Sequence, residues 1–386
     1  MRLRSARIVT PAGTIAGDVS IRDGRIETVG VASADADATE LGRRWVVPGL
    51  IDLHVHGGGG AQCNTADPDE IARVARFHAR HGTTGLLATT VAASPDELAV
   101  ALGAIRRAIE DGEVAGVLGA HMEGPFLSPR RSGAMDPSTF LEPETDTVER
   151  LLAAGGGAVR LMTLAPELPG ALELVRTLVD AGVVASIGHS DATYDQTRAA
   201  VSAGARAATH VFNGMRPFHH REPGVVGAVL DLPQVSCEII CDGIHVAPAA
   251  LRLVHRAKGP AGLRLVTDAM EAAGMPDGEY RLGAARVRVA DGRATLAAGD
   301  SIAGSTLTMD RAMRNAVRFL RITVEDAVAL ASTNPARLLG LDDRKGAIAP
   351  GMDADLTVLD DDLRACGTIV AGAWAHGPPR DVDPGR

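Results

Sequence analysis

The sequence lacks a long hydrophobic run. No stretch of the 386 residues approaches the ~20 consecutive apolar residues that a membrane helix needs. Residues 1–17 include arginines but no apolar segment of signal-peptide length. With 46% hydrophobic and 23% charged residues, the composition is typical of a globular protein. We therefore expect a cytoplasmic protein without a membrane partner.

Aromatic residues are also scarce, at 3%, and acidic residues outnumber basic ones. The chain has 48 Asp and Glu residues against 39 Lys and Arg residues, which gives a formal net charge of −9. This balance argues against nucleic acid as a partner, because nucleic-acid binding depends on basic surfaces. An anionic substrate would still need a local basic group. Only Lys258 and Lys345 are lysines, so arginine supplies almost all of the positive charge.

The four cysteines, Cys63, Cys237, Cys241 and Cys366, form no paired framework. This pattern is typical of a reducing compartment. Cys237 and Cys241 lie four residues apart in the apolar segment CEIIC. No second Cys or His pair has matching spacing, which disfavours a metal site there. We therefore predict buried free thiols.

Both ends of the chain are rich in β-strand patterns. DVSIRDGRIETVG alternates apolar and polar residues around Asp23 and Gly24, which indicates a hairpin. The C-terminal segments GAIAPGMDADLTVLD and GTIVAGAWAH have the same character. Because chain ends often lie close together, we predict one small β-sandwich domain formed by residues 1–48 and 345–386.

Residues 49–344 alternate short apolar runs with helical patterns, as repeated βα units do. The eight runs are LIDLHVH (50–56), TGLLATT (84–90), GVLGAHME (116–123), VRLMTLAPE (159–167), VVASIGHS (183–190), AATHVFN (207–213), VSCEIICDG (235–243) and LRLVTDA (263–269). Eight units predict an α/β fold with a (β/α)8 TIM-type barrel, which typically needs ~250 residues. A doubly wound open sheet is the alternative, but the glycine run 57–60 is too plain for its fingerprint.

A β-like insertion at residues 277–300 follows the eighth run, and helical patterns come after it near 306–320 and 323–333. The insertion could form a flap near the barrel mouth or a surface hairpin.

Polar residues recur at the ends of the apolar runs, where barrel enzymes hold their catalytic groups. They are His54, His56, Glu123, His189, His210, Asp242, His245 and Asp268. Each alone has a plain structural explanation, such as a hydrogen-bonding His or a capping acid. Together, at one end of separate strands, they would be costly to bury unless they were paired or metal-bound. Nitrogen and carboxylate ligands suit Zn²⁺, Fe²⁺, Mn²⁺ or Co²⁺.

The motif PGLIDLHVHG resembles the opening metal motif of the amidohydrolase superfamily. HMEGPF, IGHSDA, THVFNGM, REPG, CDGIH and LVTDAM together resemble the N-acetylglucosamine-6-phosphate deacetylases, over nearly the whole chain. The first motif is specific only to the superfamily, whereas HMEGP, THVFNGM and DGIH in combination are specific to the deacetylases. The resemblance implies metal-dependent hydrolysis of the N-acetyl group of N-acetylglucosamine 6-phosphate by a homodimer.

Several amidohydrolases bridge two metals with a carboxylated lysine in the fourth strand. The fourth run here, VRLMTLAPE, contains no lysine, and neither Lys258 nor Lys345 lies near it in sequence. That bridge is therefore excluded, and Glu123 can serve as the bridging carboxylate instead.

The resemblance implies one or two divalent ions per subunit, with Zn²⁺ favoured over Fe, Mn or Co. Glu123, His189 and His210 would hold the tighter ion. His54 and His56, with Glu123 as the bridge, would hold the second.

The resemblance also implies the roles of the remaining site residues. Asp268 would carry a proton from water to the departing amine, and His245 would donate to the carbonyl oxygen or to a sugar hydroxyl. Arg221, in REPG, would bind the phosphate. Arg221 and His245 would reach the site from a neighbouring subunit. The implied substrate contacts are Asn213, Gly214, Arg221, His245 and Ala134.

Two of these implications have alternatives. From its spacing alone, Arg221 is a solvated loop charge, and His219 and His220 beside it are surface residues or loop hydrogen-bonders. Many relatives have a His where Met135 stands, and Met cannot hydrogen-bond comparably to a sugar. Compensation by neighbouring arginines, Arg130 or Arg131, is one way to preserve sugar binding.

Other functions remain open on the sequence alone. N-acetylgalactosamine 6-phosphate is an alternative substrate, and an N-acyl amino acid or a dipeptide is another. An inactive barrel that serves as a binding scaffold is disfavoured, because such proteins usually lose metal ligands and every expected ligand is present here.

Overall fold

A computed structural model describes residues 1–32, 37–112 and 116–378. The eight apolar runs form eight parallel strands, hydrogen-bonded to one another in chain order. These barrel strands are Leu50–Val55, Thr83–Thr90, Val117–Glu123, Val159–Leu164, Val184–Ile187, Ala207–Ala208, Ser236–Ile240 and Leu263–Val266. The first and eighth strands meet where the amide of His56 donates to the carbonyl oxygen of Ala269 at 2.8 Å. The predicted TIM-type barrel is confirmed, and this closure excludes the open sheet.

Each barrel strand is followed by a helix on the outside of the barrel. These helices are Pro68–Ala79, Pro95–Glu110, Thr145–Gly155, Ala171–Asp180, Tyr194–Ala203, Gly224–Asp231, Pro248–Lys258 and Met309–Ala316. The start of Pro95–Glu110 shows how local sequence sets such a boundary. Ser94 and Glu97 form a reciprocal capping box, and Pro95 occupies the first helical position, where its missing N–H costs nothing.

The two C-terminal helical patterns are helical in the structure, with a wider turn in each. Met309–Ala316 continues into the π-helical segment Val317–Arg321. The second pattern consists of Val324–Val328, the π-helical Ala329–Thr333 and Asn334–Leu338. Short 3₁₀ turns lie elsewhere, at Pro129–Arg131, Pro137–Thr139 and Pro260–Gly262.

Both chain ends join in one eight-stranded sheet. Its strands, in spatial order, are Ala373–His376, Ala365–Val370, Leu356–Leu359, Trp45–Pro48, Arg2–Thr10, Gly13–Arg22 and Arg25–Gly30, with Thr39–Glu40 beside Arg2–Thr10. The antiparallel pairing of Trp45–Pro48 with Leu356–Leu359 connects the two ends. The predicted hairpin turn is present, with φ of 49° at Asp23 and 74° at Gly24.

The small β domain has its own hydrophobic core, which includes Leu3, Ile26, Val46 and Leu356. The prediction that both termini form one β structure is therefore confirmed, and the structure has it as a single eight-stranded sheet. The exact division at residues 48 and 345 stays our prediction. Residues 33–36 and 379–386 of that predicted domain lie outside the described residues.

The insertion at residues 277–300 forms a three-stranded antiparallel sheet. Its strands are Gly278–Leu282, Ala285–Ala290 and Arg293–Leu296. Leu282 and Val287 pack in one cluster with Val91 and Met135, which lie on the loops after the second and third barrel strands. The insertion therefore sits at the barrel mouth, and we refer to residues 277–300 as the flap.

The cysteines agree with the sequence prediction. Cys63, Cys237 and Cys241 are buried free thiols, and Cys366 is a partly buried one. Burial raises the pKa of Cys237 to about 11 and that of Cys241 to about 12. Within the described ranges, no helix combines the length and apolarity that a bilayer crossing requires.

Candidate metal centre

Six buried side chains converge at the carboxyl end of the barrel, in two groups of three. The first, which we call the Glu123 group, consists of Glu123, His189 and His210, and the second, the His54 group, consists of His54, His56 and Asp268. Within each group, the ligand atoms lie within 4.8 Å of one another. All five residues predicted as metal ligands therefore lie together, and Asp268, predicted as the proton carrier, lies among them.

Glu123 faces both groups, one with each carboxylate oxygen. Its Oε1 lies 2.8 Å from Nε2 of His210 and 3.1 Å from Nε2 of His189. Its Oε2 lies 3.2 Å from Nε2 of His56 and 3.5 Å from Nε2 of His54. This is the arrangement of a carboxylate that can bridge two ions.

The outer nitrogens of two histidines indicate which inner nitrogens carry lone pairs. Nδ1 of His56 lies 3.2 Å from the carbonyl oxygen of Thr89, and Nδ1 of His189 lies 2.8 Å from that of Arg131. A carbonyl oxygen only accepts, so each Nδ1 carries a proton and donates it. In the neutral rings, Nε2 then presents its lone pair to the centre, as a metal ligand does.

His54 and His56 point their Nε2 atoms at each other, 3.0 Å apart. Nδ1 of His54 lies 3.2 Å from Oε2 of Glu238, a carboxylate that accepts its proton. Two neutral rings protonated at Nδ1 would therefore bring two lone pairs into contact, next to Asp268. A cation between them removes that repulsion, so the residues fit a divalent metal ion.

The charges around the centre also favour a cation. Burial disfavours a charged His54 ring, yet the carboxylates of Glu123 and Asp268 hold its pKa well above the usual range. Burial alone would raise the pKa of Asp268, but His54 and His56 lower it to about 2. Asp268 is therefore a carboxylate at neutral pH, the form that accepts a proton.

Three residues of the centre have left-handed backbone conformations. The φ angles are 45° at His189, 26° at His210 and 52° at Asp268. Non-glycine residues are uncommon in this region, and such strain concentrates at functional sites. The strain coincides with the points where each strand ends and its side chain turns into the centre.

His245 lies beside Asp268 and is oriented by Asp242. Its Nδ1 lies 2.7 Å from Oδ2 of Asp242, while its Nε2 lies 4.0 Å from Oδ2 of Asp268. Burial opposes a charged His245 ring, but the hydrogen bond to Asp242 and the charges of both carboxylates raise its pKa. The raised pKa favours a ring that can donate from Nε2.

A cavity of about 290 Å³ opens onto the centre. Four of the predicted substrate contacts line it, namely Ala134, Asn213, Gly214 and His245. Its wall also contains Met135, from the loop after the third barrel strand, and Leu282 from the flap. The flap therefore contributes to the cavity.

Two predictions about the neighbouring subunit have different outcomes. The prediction that His245 comes from a neighbouring subunit is wrong, because His245 lines the cavity of its own chain, 4.0 Å from Asp268. Arg221 is exposed, and its Nη1 donates to Nε2 of His220 at 2.9 Å. It is not among the residues that line the cavity, and its role in a neighbouring subunit stays a prediction. His219 and His220 are exposed, as the surface interpretation predicted.

The arginines considered as substitutes for a sugar-binding His are engaged elsewhere. Nη2 of Arg131 lies 2.7 Å from Oδ1 of Asp191, and Nη1 of Arg130 lies 3.4 Å from Oδ2. Arg216 approaches the same carboxylate, at 3.1 Å. Because Arg131 also accepts from His189 through its carbonyl oxygen, this arginine cluster borders the Glu123 group.

The sequence interpretation missed several buried polar residues behind the centre. Glu238 contacts His54, and Arg264 lies beside Glu238 at 3.6 Å. Asp52 accepts from the amide of His54 at 3.3 Å and from the hydroxyl of Thr267 at 2.6 Å. Charged residues inside the apolar runs SCEII and LRLV were the available sign, because a barrel strand is otherwise apolar.

The chain resembles known proteins both in sequence and in structure. The model of the amidohydrolase family matches residues 45–381. An N-acetylglucosamine-6-phosphate deacetylase of Lysinibacillus sphaericus is 41% identical over 92% of this chain and 92% of its own length. An N-acetylgalactosamine-6-phosphate deacetylase of Escherichia coli O157:H7 is 40% identical over 97% of this chain and 98% of its own.

A solved structure is similar over almost the whole chain. It is a variant of the N-acetyl-D-glucosamine-6-phosphate deacetylase of Mycobacterium smegmatis, in complex with N-acetyl-D-glucosamine-6-phosphate. The TM-score is 0.93 at 43% sequence identity, with 98% of this chain and 99% of that one covered. The similarity includes the small β domain as well as the barrel.

Proposed function

The chain belongs to the amidohydrolase family, and on that premise we propose that it hydrolyses the N-acetyl group of N-acetylglucosamine 6-phosphate. The products are glucosamine 6-phosphate and acetate. The names of relatives that match more than nine-tenths of the chain support this substrate. The observation that carries the proposal is Glu123, whose two oxygens face two groups of metal-ligand type beside a cavity of about 290 Å³.

We propose that the Glu123 group holds one divalent ion and that His54 and His56, with Glu123 as a bridge, hold a second. Zn²⁺ is the proposed ion, because it favours imidazole and carboxylate ligands, and Fe, Mn and Co are the alternatives. A bound ion of this kind polarises an amide carbonyl and lowers the pKa of water.

Asp268 acts as the proton carrier in the proposed reaction. It takes a proton from water while the water oxygen bonds to the acetyl carbon, and it then delivers that proton to the amine nitrogen as the C–N bond breaks. The low pKa of Asp268 supports this role, because its carboxylate is ionised before the reaction. His245, held by Asp242, donates to the carbonyl oxygen or to a sugar hydroxyl.

The remaining substrate contacts are assigned by position. Ala134, Asn213, Gly214 and His245 all line the cavity, which supports their role in holding the sugar phosphate. Arg221 lies outside that lining in its own chain. We propose that a homodimer brings Arg221 into the cavity of the neighbouring subunit, where its guanidinium binds the phosphate.

The proposal is tested by acetate release after chelation and metal add-back. N-acetylglucosamine 6-phosphate is compared with N-acetylgalactosamine 6-phosphate and with unphosphorylated N-acetylglucosamine. We expect the highest kcat/KM for the first compound, and no turnover until metal returns. Equal cleavage of the unphosphorylated sugar would contradict the phosphate site, and an absence of acetate release from all three would contradict the deacetylase function.

A second candidate substrate is N-acetylgalactosamine 6-phosphate. Met135 lines the cavity and cannot hydrogen-bond to a sugar as a His would, and an N-acetylgalactosamine-6-phosphate deacetylase matches 97% of the chain. The two sugar phosphates differ at one hydroxyl, so a site with fewer hydrogen bonds discriminates less between them. A higher kcat/KM for the galactosamine compound in the same assay would favour this candidate.

We retain a cytoplasmic location as a prediction. Its support is that all four cysteines are free, which is typical of proteins in reducing compartments. Localisation of the tagged full-length chain by fractionation would test it.

A further inference from the structure

Arg264 is a buried arginine in an unusual environment. Its side chain is fully buried in the barrel wall, and its Nε, Nη1 and Nη2 atoms have no hydrogen-bond partner among the described residues. Its ion-pair partner is Glu238, whose Oε1 lies 3.6 Å from Nη2 and is itself without a hydrogen bond. Buried polar groups are almost always satisfied, so this pair requires an explanation.

Fold stability does not explain the pair well. Taking two charges out of water costs several kcal/mol per ion, and a loose buried pair recovers little of that cost. Well-packed apolar residues of similar volume often serve as well or better. Glu238 and Arg264 lie opposite each other on the seventh and eighth barrel strands, where aliphatic side chains would suit a barrel interior.

The second oxygen of Glu238 connects the pair to the metal centre. Oε2 lies 3.2 Å from Nδ1 of His54 and 3.3 Å from the amide nitrogen of His210. One carboxylate therefore contacts the ring of a residue in the His54 group and the backbone of a residue in the Glu123 group. The ring contact is directional, since it fixes the proton on Nδ1 of His54 and leaves Nε2 for the centre.

His54 and His56 differ in the group that accepts a proton from their Nδ1 atoms. Nδ1 of His56 donates to a neutral acceptor, the carbonyl oxygen of Thr89. Nδ1 of His54 donates to a carboxylate, which raises the basicity of the ring as a ligand more than a neutral acceptor does. Loss of such a partner typically lowers metal affinity about 10- to 100-fold.

We propose that Glu238, held in place by Arg264, is a positioning residue that sets the affinity of the His54 group for its metal ion. The inference rests on the metal centre of the proposed function and not on its substrate. Its failure can therefore be distinguished from a failure of the proposed function, because metal binding is measured without substrate.

The test measures metal binding by full-length protein after chelation, by competition with a chromophoric chelator and by elemental analysis. For Glu238→Gln we expect a second ion bound about 10- to 100-fold more weakly than in the wild-type chain, with the first ion unchanged. Co²⁺ absorption provides a spectroscopic readout of ligand geometry. The matched control is Asp310→Asn, a buried carboxylate outside both groups that contacts Thr308 and His81, and it should leave both affinities unchanged.

A double variant separates positioning from stability. Glu238→Gln leaves Arg264 without its counter-charge, so the single variant should also melt at a lower temperature in chelator. Glu238→Gln with Arg264→Met removes both charges, and we expect the melting temperature to recover while the second ion stays weakly bound. Recovery of both the melting temperature and the affinity for the second ion would indicate that the pair is purely structural and would overturn the proposal. So would wild-type affinities in Glu238→Gln, or a wild-type chain that binds only one ion at saturation.

Discussion

Oδ1 of Asp268 lies 3.1 Å from Nε2 of His56, although the two residues come from strands at opposite ends of the barrel sequence. The contact exists because the eighth strand closes onto the first. It places a carboxylate with a pKa of about 2 beside the histidine pair and points its other oxygen towards His245. A single residue thus connects the metal-ligand groups with the cavity.

The Asp268→Asn variant should have a kcat about 10²- to 10⁴-fold lower than the wild-type chain, because the amide cannot take a proton from water. The ion of the Glu123 group should remain, since Asp268 is not one of its members. Acetate release and elemental analysis on the same preparation measure both quantities. Asp231→Asn, an exposed carboxylate that accepts from Tyr194, is the control. A kcat close to wild type would rule Asp268 out as the proton carrier.

The Glu123→Gln variant should bind metal more weakly at both the Glu123 group and the His54 group. One oxygen of Glu123 faces His210 and the other faces His56, so the neutral amide removes a charge from each group. We expect the metal content after dialysis to fall and acetate release to fall with it. Glu271→Gln, three residues beyond Asp268, removes the same charge outside both groups and should retain its metal. Retention of two ions by Glu123→Gln would contradict a bridging role.

The barrel and much of the centre were predictable because they depend on local patterns. The eight apolar runs have strand length and alternate with helices, and polar residues fall where each run ends. The carboxyl ends of parallel strands meet at one end of a barrel, so His54, Glu123 and His210 could be expected to converge. No long-range information was needed for that step.

The residues behind the centre could not be predicted in the same way. Glu238 and Arg264 are paired only because the seventh and eighth strands align in one particular register. Register depends on the packing of the whole barrel, which the sequence of either strand does not contain. The length of the sixth strand could not be predicted from its sequence either. Only Ala207–Ala208 of the run 207–213 is strand, because the backbone turns to positive φ at His210 and Phe212.

The stability of the fold should decrease below neutral pH through His78. This residue is fully buried, its Nε2 lies 3.0 Å from the carbonyl oxygen of Gly57, and its Nδ1 has no partner among the described residues. Burial lowers the pKa of His78 from 6.5 to about 4. The folded state therefore binds fewer protons than the unfolded state between these values, and stability falls as pH falls through this window.

The expected contribution of His78 is on the order of 3 kcal/mol of unfolding free energy, present above about pH 6.5 and lost by about pH 4. Urea unfolding of the wild-type chain and of His78→Gln between about pH 4 and 6.5 isolates the contribution of His78, since Gln does not titrate. The difference in unfolding free energy between the two should narrow as pH falls. A parallel pH dependence of the two proteins would contradict the prediction.

The position of Arg221 leads to a prediction about which subunit uses it. In its own chain Arg221 is exposed and lies outside the cavity lining, so a phosphate role requires the neighbouring subunit. Arg221→Ala should then raise KM for the sugar phosphate about 10- to 100-fold, the effect of losing a charge-assisted hydrogen bond. An unchanged KM would remove Arg221 from the substrate site and leave the arginines around Asp191 as the candidates.

Co-expression of Arg221→Ala with Asp268→Asn distinguishes the two subunit arrangements. In a symmetric dimer with a shared site, a heterodimer contains one cavity with an intact Asp268 and its partner's intact Arg221, and another that lacks both. Heterodimers purified through two different tags should therefore regain about half of the wild-type activity, since one of two cavities is complete. If Arg221 serves its own chain, neither cavity is complete, and the heterodimer should be no more active than the two parent variants.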